Sequence, residues 1–239
     1  MTPLYLLELS NIPILDQLRI EEALLRLDDR NICIFNHLSS PAIVMGVSSE
    51  PEDLLDIEKV ERDQIPIIRR YSGGGTVFID ENTLFVSFLF QKEAHIFPAF
   101  PERIMRWSEN FYKEALQIPS FAFRENDYVI ESKKVGGNAQ YIQKTKWLHH
   151  TSFLYDFDEK NMDYLLMPKK VPSYREQRSH KDFLTTLRLH IKKDLFFKRI
   201  KSHLKTLYDV KPITRSELDP LISQSHRKST ALLSCISQR

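Results

Sequence analysis

The sequence has no apolar run long enough to cross a membrane and only two cysteines among its 239 residues. A membrane-spanning helix needs about 20 consecutive apolar residues, whereas the unbroken apolar runs here are short ones such as residues 88–90, Phe-Leu-Phe. Residues 1–9 lack the basic start of a secretory signal, and Glu8 interrupts their apolar stretch. Cys33 and Cys235 are too few to staple a fold of this size, which indicates a reducing compartment. These absences predict a soluble, cytoplasmic protein with no membrane partner.

Metal-ligand patterns are also missing, because the 8 histidines do not recur with Cys or Asp at spacings typical of a metal cage. The 42% of apolar residues is enough for a sizeable core. Charge is distributed unevenly: residues 1–170 carry 19 Lys and Arg against 26 Asp and Glu, and residues 171–239 carry 15 against 6. A basic C-terminal segment indicates either an anionic partner or a solvated helical surface.

Glycine is scarce, with six residues where average usage would give roughly 17. Apart from Gly46 and one later pair, they form the triplet at residues 73–75, where the backbone is expected to take unusual dihedrals or to approach a ligand closely. Residues 65–71 and 76–79 predict strands on either side of the triplet, and residues 84–90 predict a third strand. A phosphate loop or a dinucleotide fingerprint would lead into a helix instead. The pattern therefore predicts a glycine-rich hairpin, which either binds an anion through its backbone N–H groups or is a plain tight turn.

The second glycine pair also lies in a hairpin pattern, with a short predicted strand at residues 127–130 and its return at residues 134–139. Strand alternation places Lys134, Gly136 and Asn138 on one face. Lys134, unlike the lysine before it, then shares a face with small and polar residues and becomes the candidate functional lysine. The alternative is that both lysines are solvated at the end of a hairpin.

The first predicted helix carries an apolar stripe at Ile14, Leu18 and Leu25. Glu21 falls in the middle of that stripe, while Glu22 lies to its side. A carboxylate on a buried face must be paired or functional. We expect Glu21 to be paired with backbone N–H groups or with an arginine, or else to serve the site.

Together these motifs resemble the lipoate–protein ligase A family, which has the biotin/lipoate cofactor-transferase fold. The family pattern Arg-Arg-x-Ser-Gly-Gly-Gly-x-Val-x-His-Asp is similar to residues 69–80, which read Arg-Arg-Tyr-Ser-Gly-Gly-Gly-Thr-Val-Phe-Ile-Asp. The resemblance covers roughly residues 4–170. The other matching patterns are the lysine box at residues 134–139, the paired-histidine strand at residues 149–154, and a first-helix pattern at Gln17, Glu21 and Glu22.

The resemblance implies an α+β fold, a biotin/lipoyl-ligase-like catalytic domain whose mixed and antiparallel sheets are flanked by helices. Residues 1–239 would form a single domain, with residues 171–239 as a basic helical segment packed on it. The chain looks like a short form of the family without the C-terminal accessory domain. Such a domain could be encoded separately.

By the same resemblance, the protein would activate lipoate with ATP and Mg²⁺ to lipoyl-AMP and transfer the lipoyl group to a lysine of an acceptor protein. The implied acceptors are the lipoyl domains of 2-oxoacid dehydrogenase E2 subunits and the glycine cleavage H protein, and no nucleic acid. A predicted helix at residues 192–205 has Lys198, Lys201 and Lys205 on one outward stripe, which could attract an acidic acceptor or simply be solvated.

Two alternatives of the same fold remain. One is an octanoyl- or lipoyltransferase that uses a carrier thioester or a preformed adenylate and needs no ATP of its own. The other is a non-catalytic binding homologue. Neither Cys33 nor Cys235 adjoins a glycine motif, so a thioester intermediate on this chain is disfavoured.

Lys134 is the residue to which the resemblance assigns catalysis, since the matching family lysine contacts both the α-phosphate and the lipoate carboxyl. Two departures from the family patterns stand beside the site: Ile79 replaces a histidine, and Thr151 replaces the glycine after the paired histidines. No protein ligand to a metal is implied. The implied ATP and adenylate contacts are Arg70, Gly73, Gly74, Gly75, Thr76, Val77, Phe78 and Lys134. The implied lipoate contacts are Lys134, Arg70, Ser72 and His150, with Glu21, Asp80 and Asn138 in support.

Overall fold

Two β-sheets carry the fold in the computed structural model, which describes residues 1–37, 40–169 and 171–233. Within those ranges the strands are β1 (Pro3–Ser10), β2 (Ile32–His37), β3 (Ala42–Met45), β4 (Ile67–Arg69), β5 (Val77–Ile79), β6 (Thr83–Gln91), β7 (Phe121–Arg124), β8 (Asp127–Ile130), β9 (Lys133–Ile142), β10 (Lys146–Leu154), β11 (Asp209–Ile213) and β12 (Ala231–Leu233). The α-helices are α1 (Ile14–Leu27), α2 (Pro51–Leu54), α3 (Ile57–Arg62), α4 (Pro101–Leu116), α5 (His180–Phe183), α6 (Lys193–Leu207) and α7 (Arg215–Ile222). Short 3₁₀ helices lie at Lys92–Ala94, Glu159–Tyr164, Ser173–Arg175 and Leu187–Leu189.

The larger sheet has eight described strands in the order β11-β1-β2-β6-β10-β9-β8-β7. In that order, the first three strands, β11, β1 and β2, run parallel to one another. Every neighbouring pair from β2 onward to the edge strand β7 is antiparallel. The smaller sheet has the order β12-β4-β3-β5, with β3 and β4 parallel. The α+β class with mixed and antiparallel sheets is confirmed.

Each face of the larger sheet packs against different elements because side chains alternate along its strands. On one face, Phe88, Trp147 and Phe153 join Tyr112 of α4 and Phe196 of α6 in the main core. Full burial of such a side chain stabilises the fold by about 1.5–3 kcal/mol. The opposite face packs against α1 and, beyond it, the smaller sheet.

Helix α1 begins directly after Pro13 and buries the predicted stripe, with Ile14, Leu18 and Leu25 at most 2% exposed. Helix α4 begins at Pro101 and ends before Gln117, whose φ of 54° is left-handed and stops the helix. These local signals set where the helices begin and end, and their buried residues place α1 between the two sheets and α4 on the outer face of the larger one.

The predicted glycine hairpin is wrong in its pairing. β4 and β5 flank the glycine triplet in sequence, but they do not pair with each other. Both instead pair with β3, β4 in parallel and β5 antiparallel. The triplet therefore spans the width of a central strand, and it is a crossing loop between two strands rather than a tight turn.

We expected the segment after residue 170 to be helical. The structure shows that it also contains two strands, β11 in the larger sheet and β12 in the smaller one. Glu22, expected at the side of the helix stripe, is 1% exposed and holds this segment in place. Its carboxylate accepts hydrogen bonds from the backbone N–H groups of Ser229 and Thr230 and from Arg26. One buried carboxylate thus attaches the last described strand to α1.

Replacing Glu22 with Gln should lower the free energy of unfolding by about 1–3 kcal/mol at pH 7, because buried N–H donors lose a charged acceptor. Burial raises the pKa of Glu22, but the hydrogen bonds from Arg26, Thr230 and Ser229 outweigh burial and hold it below its ordinary value of 4.5. The stabilisation is therefore present above pH 4.5 and is lost as the pH falls through the lower folded-state pKa.

Urea unfolding of Glu22→Gln and of the exposed control Glu52→Gln, at pH 7 and at pH 3.5 or below, checks this expectation. The gap between wild type and Glu22→Gln should narrow in acid, while Glu52→Gln should follow wild type throughout. Equal losses in both variants, or a gap that does not depend on pH, would contradict the role given to Glu22.

Candidate functional site

A cavity of about 730 Å³ lies between the two sheets. Its walls come from the glycine loop and β5, from β9 and β10, and from the chain between residues 162 and 184. The lining includes the predicted residues Arg70, Gly74, Gly75, Thr76, Val77, Phe78, Lys134, Asn138 and His150. The two glycine motifs, which are far apart in sequence, therefore meet at one cavity.

The glycine loop is organised around the side chain of Arg70, which is 3% exposed. Its Nη2 donates hydrogen bonds to the carbonyl oxygens of both Gly73 and Gly75, each at 2.9 Å. In a planar trans peptide the C=O and the following N–H point in opposite directions. The N–H groups of Gly74 and Thr76 therefore point away from the guanidinium, as an anion-binding loop requires.

Burial lowers the pKa of Arg70 to about 10, and the nearby charge of Glu21 acts in the opposite direction. Arg70 therefore remains charged at neutral pH. Its positive charge lies beneath the loop and adds to the potential that an anion meets there, while its hydrogen bonds hold the loop in shape.

At two positions around the loop, a side chain larger than that of glycine would clash with neighbouring atoms. Gly74 has a φ of +108°, and a Cβ there would lie 2.7 Å from Nη2 of Arg70. A Cβ on Gly46 would lie 2.3 Å from the carbonyl oxygen of Gly74, so the turn after β3 packs directly against the loop. Gly73 and Gly75 are different, because a Cβ on either would meet nothing within 4 Å.

The lysine hairpin contains a β-bulge that sequence alternation missed. Tyr128 lies opposite Gly136 and Val129 opposite Lys134, so Val135 is the extra residue on β9. The predicted shared face of Lys134 and Gly136 is therefore wrong: a Cβ on Gly136 would point at the core ring of Phe153, while one on Gly137 would lie 3.6 Å from Nζ of Lys134.

The bulge leaves Lys134 itself on the cavity side. Its Nζ forms an ion pair with Oδ1 of Asp127 at 2.7 Å, and the hydroxyl of Tyr174 donates to the other oxygen of that carboxylate at 2.8 Å. The backbone of Lys134 also accepts a hydrogen bond from the N–H of Thr185. The ammonium group is thus held at the cavity wall before any anion arrives.

Glu21 is paired with a histidine and not with backbone N–H groups or an arginine, as the sequence had led us to expect. Its carboxylate lies 3.0 Å from Nδ1 of His150 and also accepts hydrogen bonds from Ser87 and Gln17. Burial raises the pKa of Glu21, yet the charge and hydrogen bond of His150 with the other two donors keep it below the ordinary range. Glu21 does not line the cavity but orients His150, which does.

Three other predicted residues lie beside the cavity rather than in its lining. Ser72 is fully buried, and no described residue is a hydrogen-bond partner for its Oγ. Gly73 lines a second cavity of about 610 Å³ on the other side of the loop. Asp80, whose pKa is raised by burial, accepts a hydrogen bond from the N–H of Asn82 and another from Asn161. It stabilises the turn into β6.

Asn138 lines both cavities and donates to the carbonyl oxygen of Asn126 at 2.6 Å, which ties β9 to the β7–β8 turn.

The two residues that depart from the family patterns, Ile79 and Thr151, lie on different sides of the larger sheet. Ile79 lines the cavity and packs with Leu18 of α1. Thr151 faces the other side of the sheet, where Tyr112 donates to its hydroxyl at 3.2 Å, so it does not alter the cavity.

The cavity lining also contains residues that the sequence analysis did not single out as site residues, among them Asp127, Arg175 and His180. Asp127 carried a usable signal, because it opens the strand that pairs with the lysine strand. Arg175 and His180 lie in the basic segment beyond residue 170 and follow no periodic pattern. Their approach to Lys134 depends on a chain path that spacing does not reveal.

The predicted lysine stripe lies away from the cavity. α6 packs with α4 on the opposite face of the larger sheet, where Lys198 and Lys205 are exposed and Lys201 forms an ion pair with Glu8 at 2.7 Å. The stripe does not line the cavity.

Cys33 is a free thiol buried in β2 on that same outer face, and burial raises its pKa well above the ordinary value. It is therefore inert and remote from the cavity, while Cys235 lies outside the described residues.

In the described ranges no group of three or more His, Cys, Asp or Glu side chains could hold a metal ion. Nor is any helix in those ranges long and apolar enough to cross a bilayer.

The glycine loop yields a test that separates a ligand contact from a structural one. Gly75→Ala should leave thermal stability nearly unchanged, because the new methyl meets open space. It should weaken binding of the ATP that the family resemblance implies, because the methyl fills part of the cavity lining. Gly74→Val should lower Tm by several degrees, because a side chain there has a strained φ and crowds Arg70. Gly73→Ala, outside the larger cavity, is the matched control.

Calorimetric melting and isothermal titration with ATP measure the two effects. If Gly75→Ala binds ATP as tightly as wild type and Gly73→Ala do, Gly75 is not a nucleotide contact.

A family model of the lipoyl protein ligase A/B catalytic domain matches residues 13–208. Among relatives, a Plasmodium falciparum protein named inactive lipoate–protein ligase 2 is 29% identical over 279 aligned positions, which cover 88% of this chain and 71% of the relative. The lipoate–protein ligase LplJ of Bacillus subtilis is 27% identical over 143 positions, which cover 58% of this chain and 42% of the relative. The alignment thus spans less than half of the Bacillus protein.

Solved structures show the same fold at low sequence identity. A chain from the bi-partite lipoate protein ligase system of Thermoplasma acidophilum matches with a TM-score of 0.74 at 20% identity, covering 93% of this chain and 91% of that one. A lipoate–protein ligase A bound with ATP matches with a TM-score of 0.72 at 19% identity, covering 92% of each chain. With the family model spanning the glycine loop, the lysine hairpin and His150, the chain belongs to the lipoyl protein ligase A/B catalytic domain family.

Proposed function

We propose that this protein is an ATP-dependent lipoate–protein ligase, which converts lipoate and ATP to lipoyl-AMP and then transfers the lipoyl group to a lysine of a lipoyl domain. The observation that carries the proposal is the meeting of Lys134 and the glycine loop at the wall of one cavity. A solved neighbour of the same fold is bound with ATP, and another, from Thermoplasma acidophilum, is described with bound lipoic acid.

The acyl chain would occupy the inner part of the cavity. That part is lined by apolar side chains from α1, the smaller sheet and β6, including Leu18, Val44 and Phe85. Burial of a hydrocarbon chain there is favourable by about 0.8 kcal/mol for each methylene group. His150, oriented by Glu21, adds a polar group to this wall and would contact the bound acid.

In the first step two anions meet, because the lipoate carboxylate attacks the α-phosphorus of ATP. The ammonium of Lys134, the loop N–H groups and the charge of Arg70 would screen this repulsion and stabilise the charge that grows on the phosphoryl oxygens. Mg²⁺ bound to the phosphates would neutralise the charge of the departing pyrophosphate.

In the second step the amine of the acceptor lysine attacks the acyl carbon, and AMP leaves. Lys134 can remain in place and stabilise the oxyanion of the tetrahedral intermediate, so it acts electrostatically and not as a nucleophile. We propose an E2 lipoyl domain or the glycine cleavage H protein as acceptor. The Thermoplasma acidophilum system, which pairs a bi-partite ligase with an E2 lipoyl domain, supports the first of these. It also makes a separately encoded accessory chain worth supplying in the assay.

We also propose that residues 1–239 form one catalytic domain, since residues of the segment after 170, such as Arg175 and Phe183, line the cavity. The buried free thiol of Cys33 is compatible with a reducing compartment, and we propose a cytoplasmic location on that basis.

A second function has one observation in its favour, because the Plasmodium relative is named inactive. On this alternative the protein would accept preformed lipoyl-AMP, or only bind ligands, and would not activate lipoate itself. The cavity and the ion pair of Lys134 with Asp127 would serve transfer as well as activation.

Intact mass of an apo lipoyl domain separates these functions. The domain is incubated with the protein and either lipoate plus Mg-ATP, lipoate alone, or lipoyl-AMP alone. We expect a gain of one lipoyl group with lipoate only when ATP is present. A gain with lipoyl-AMP but none with lipoate plus Mg-ATP would identify a transferase, and no gain in any arm, with an accessory chain also supplied, would identify a binding homologue.

The adjacent lysines give a matched pair of variants. Lys134→Met should slow lipoyl-AMP formation by about 10²–10³-fold, because a preorganised donor at the developing charge is lost. Lys133→Met should change the rate little, since Lys133 is exposed at the hairpin end. Pyrophosphate release measures the first step, and equal losses in the two variants would mean that Lys134 has no special part in the reaction.

A further inference from the structure

We propose that Arg175, with His180 beside it, binds the terminal phosphates of ATP and the pyrophosphate that leaves, an inference that rests on the proposed function. Arg175 lies outside the sequence motifs described in the sequence analysis, and its place in the cavity wall follows from the structure. The class of ligand is an inorganic polyphosphate chain.

The first observation is a buried cation whose hydrogen bonding is incomplete. Arg175 is 5% exposed, and its Nε donates to the carbonyl oxygen of Arg178 at 3.2 Å. Its Nη2 is buried and has no hydrogen-bond partner among the described residues. A buried charged donor without a partner is costly, so such a group is expected where a ligand completes its hydrogen bonding.

The second observation is His180, which lines the same cavity and whose Nε2 is likewise buried without a partner in the described part of the chain. Burial lowers its pKa, and the positive charges of Arg175 and Lys134 lower it further. The three side chains therefore share one electrostatic neighbourhood. An arriving anion would meet two cations together with a ring nitrogen that can donate.

Arg175 is held rigidly by its neighbours before any ligand binds. The Glu125 carboxylate accepts hydrogen bonds from the backbone N–H groups of Ser173 and Tyr174 and from the Ser173 hydroxyl, which fixes the 3₁₀ helix on the β7–β8 turn. The guanidinium of Arg175 lies over the Phe183 ring at 4.8 Å. A donor fixed in this way loses little conformational freedom when it binds an anion.

The position of Arg175 relative to Lys134 assigns it to phosphates beyond the α-phosphate. Lys134 binds one oxygen of Asp127, and Tyr174, the residue before Arg175, binds the other. With both oxygens already bound, the Asp127 carboxylate opposes an incoming anion less than a free carboxylate would. A nucleotide whose α-phosphate contacts Lys134 can then extend its next phosphates toward Arg175.

This placement matters when the reaction separates charge. The carboxylate oxygen bonds to the α-phosphorus, the bond from that phosphorus to the bridging oxygen breaks, and its electron pair leaves on pyrophosphate. A fixed guanidinium on the leaving side stabilises that charge and can bind two phosphate oxygens at once.

Equilibrium binding of inorganic pyrophosphate, ATP and AMP to wild type, Arg175→Gln and Arg175→Lys tests the proposal. We expect Arg175→Gln to weaken pyrophosphate and ATP binding by about 10-fold or more, the loss of a charge-assisted hydrogen bond, and to change AMP binding by less than about twofold. Arg175→Lys, which keeps the charge, should lie between. The control Arg188→Gln removes an exposed arginine outside the cavity lining and should match wild type for all three ligands.

Each contrary result has a definite meaning. If Arg175→Gln weakens the binding of all three ligands equally, the proposal is overturned and Arg175 is a structural residue of its loop. The same holds if Arg175→Lys lowers Tm without weakening pyrophosphate binding selectively. Unchanged pyrophosphate affinity in Arg175→Gln, or no pyrophosphate binding by wild type at millimolar concentration, would also overturn it.

The proposed function is judged separately, by lipoyl-AMP formation in wild type. If wild type makes lipoyl-AMP and Arg175→Gln binds pyrophosphate normally, the proposed function stands and the role of Arg175 is rejected. If Arg175 is needed for pyrophosphate binding but wild type makes no lipoyl-AMP, the role of Arg175 stands and the proposed function is rejected.

Discussion

The hydrogen bonds from Arg70 to the carbonyl oxygens of Gly73 and Gly75 are the contacts on which the site depends. They hold two carbonyl groups inward, and peptide planarity then directs the following N–H groups outward. Gly74 allows the left-handed backbone that this shape needs, and Gly46 allows the neighbouring turn to approach its carbonyl oxygen. The loop is therefore a surface of donors built over a buried cation, and the fold itself requires glycine at Gly74 and at Gly46 beside it.

Buried carboxylates organise the rest of the site in the same manner. Glu21 orients His150 from within α1, Glu22 attaches the last described strand to the same helix, and Asp127 joins Lys134 to Tyr174. Each carboxylate has several donors, which offsets the cost of its burial. As a result, elements distant in sequence are fixed against one another around the cavity before substrates bind.

The sequence was informative where a local rule applied. The stripe on α1 predicted a buried helix, the two glycine motifs drew attention to a loop and a lysine that line the cavity, and the α+β class followed from the family resemblance. It was misleading where pairing or register depends on distant residues. The triplet looked like a hairpin because its flanking strands are adjacent in sequence, yet both pair with β3. Strict alternation misassigned Gly136, because one bulged residue reverses the faces of β9.

The sequence by itself determined the family, the fold class and the two glycine motifs, since these reside in residue types at short spacings. Only the tertiary structure decided that Glu21 meets His150, that the basic helix lies on the far side of the larger sheet, and that Arg175 and His180 lie in the cavity. The physical reason is that side-chain pairing, strand order and burial arise from contacts between residues distant in the chain. Local propensity carries no information about which distant partner a buried charge will find.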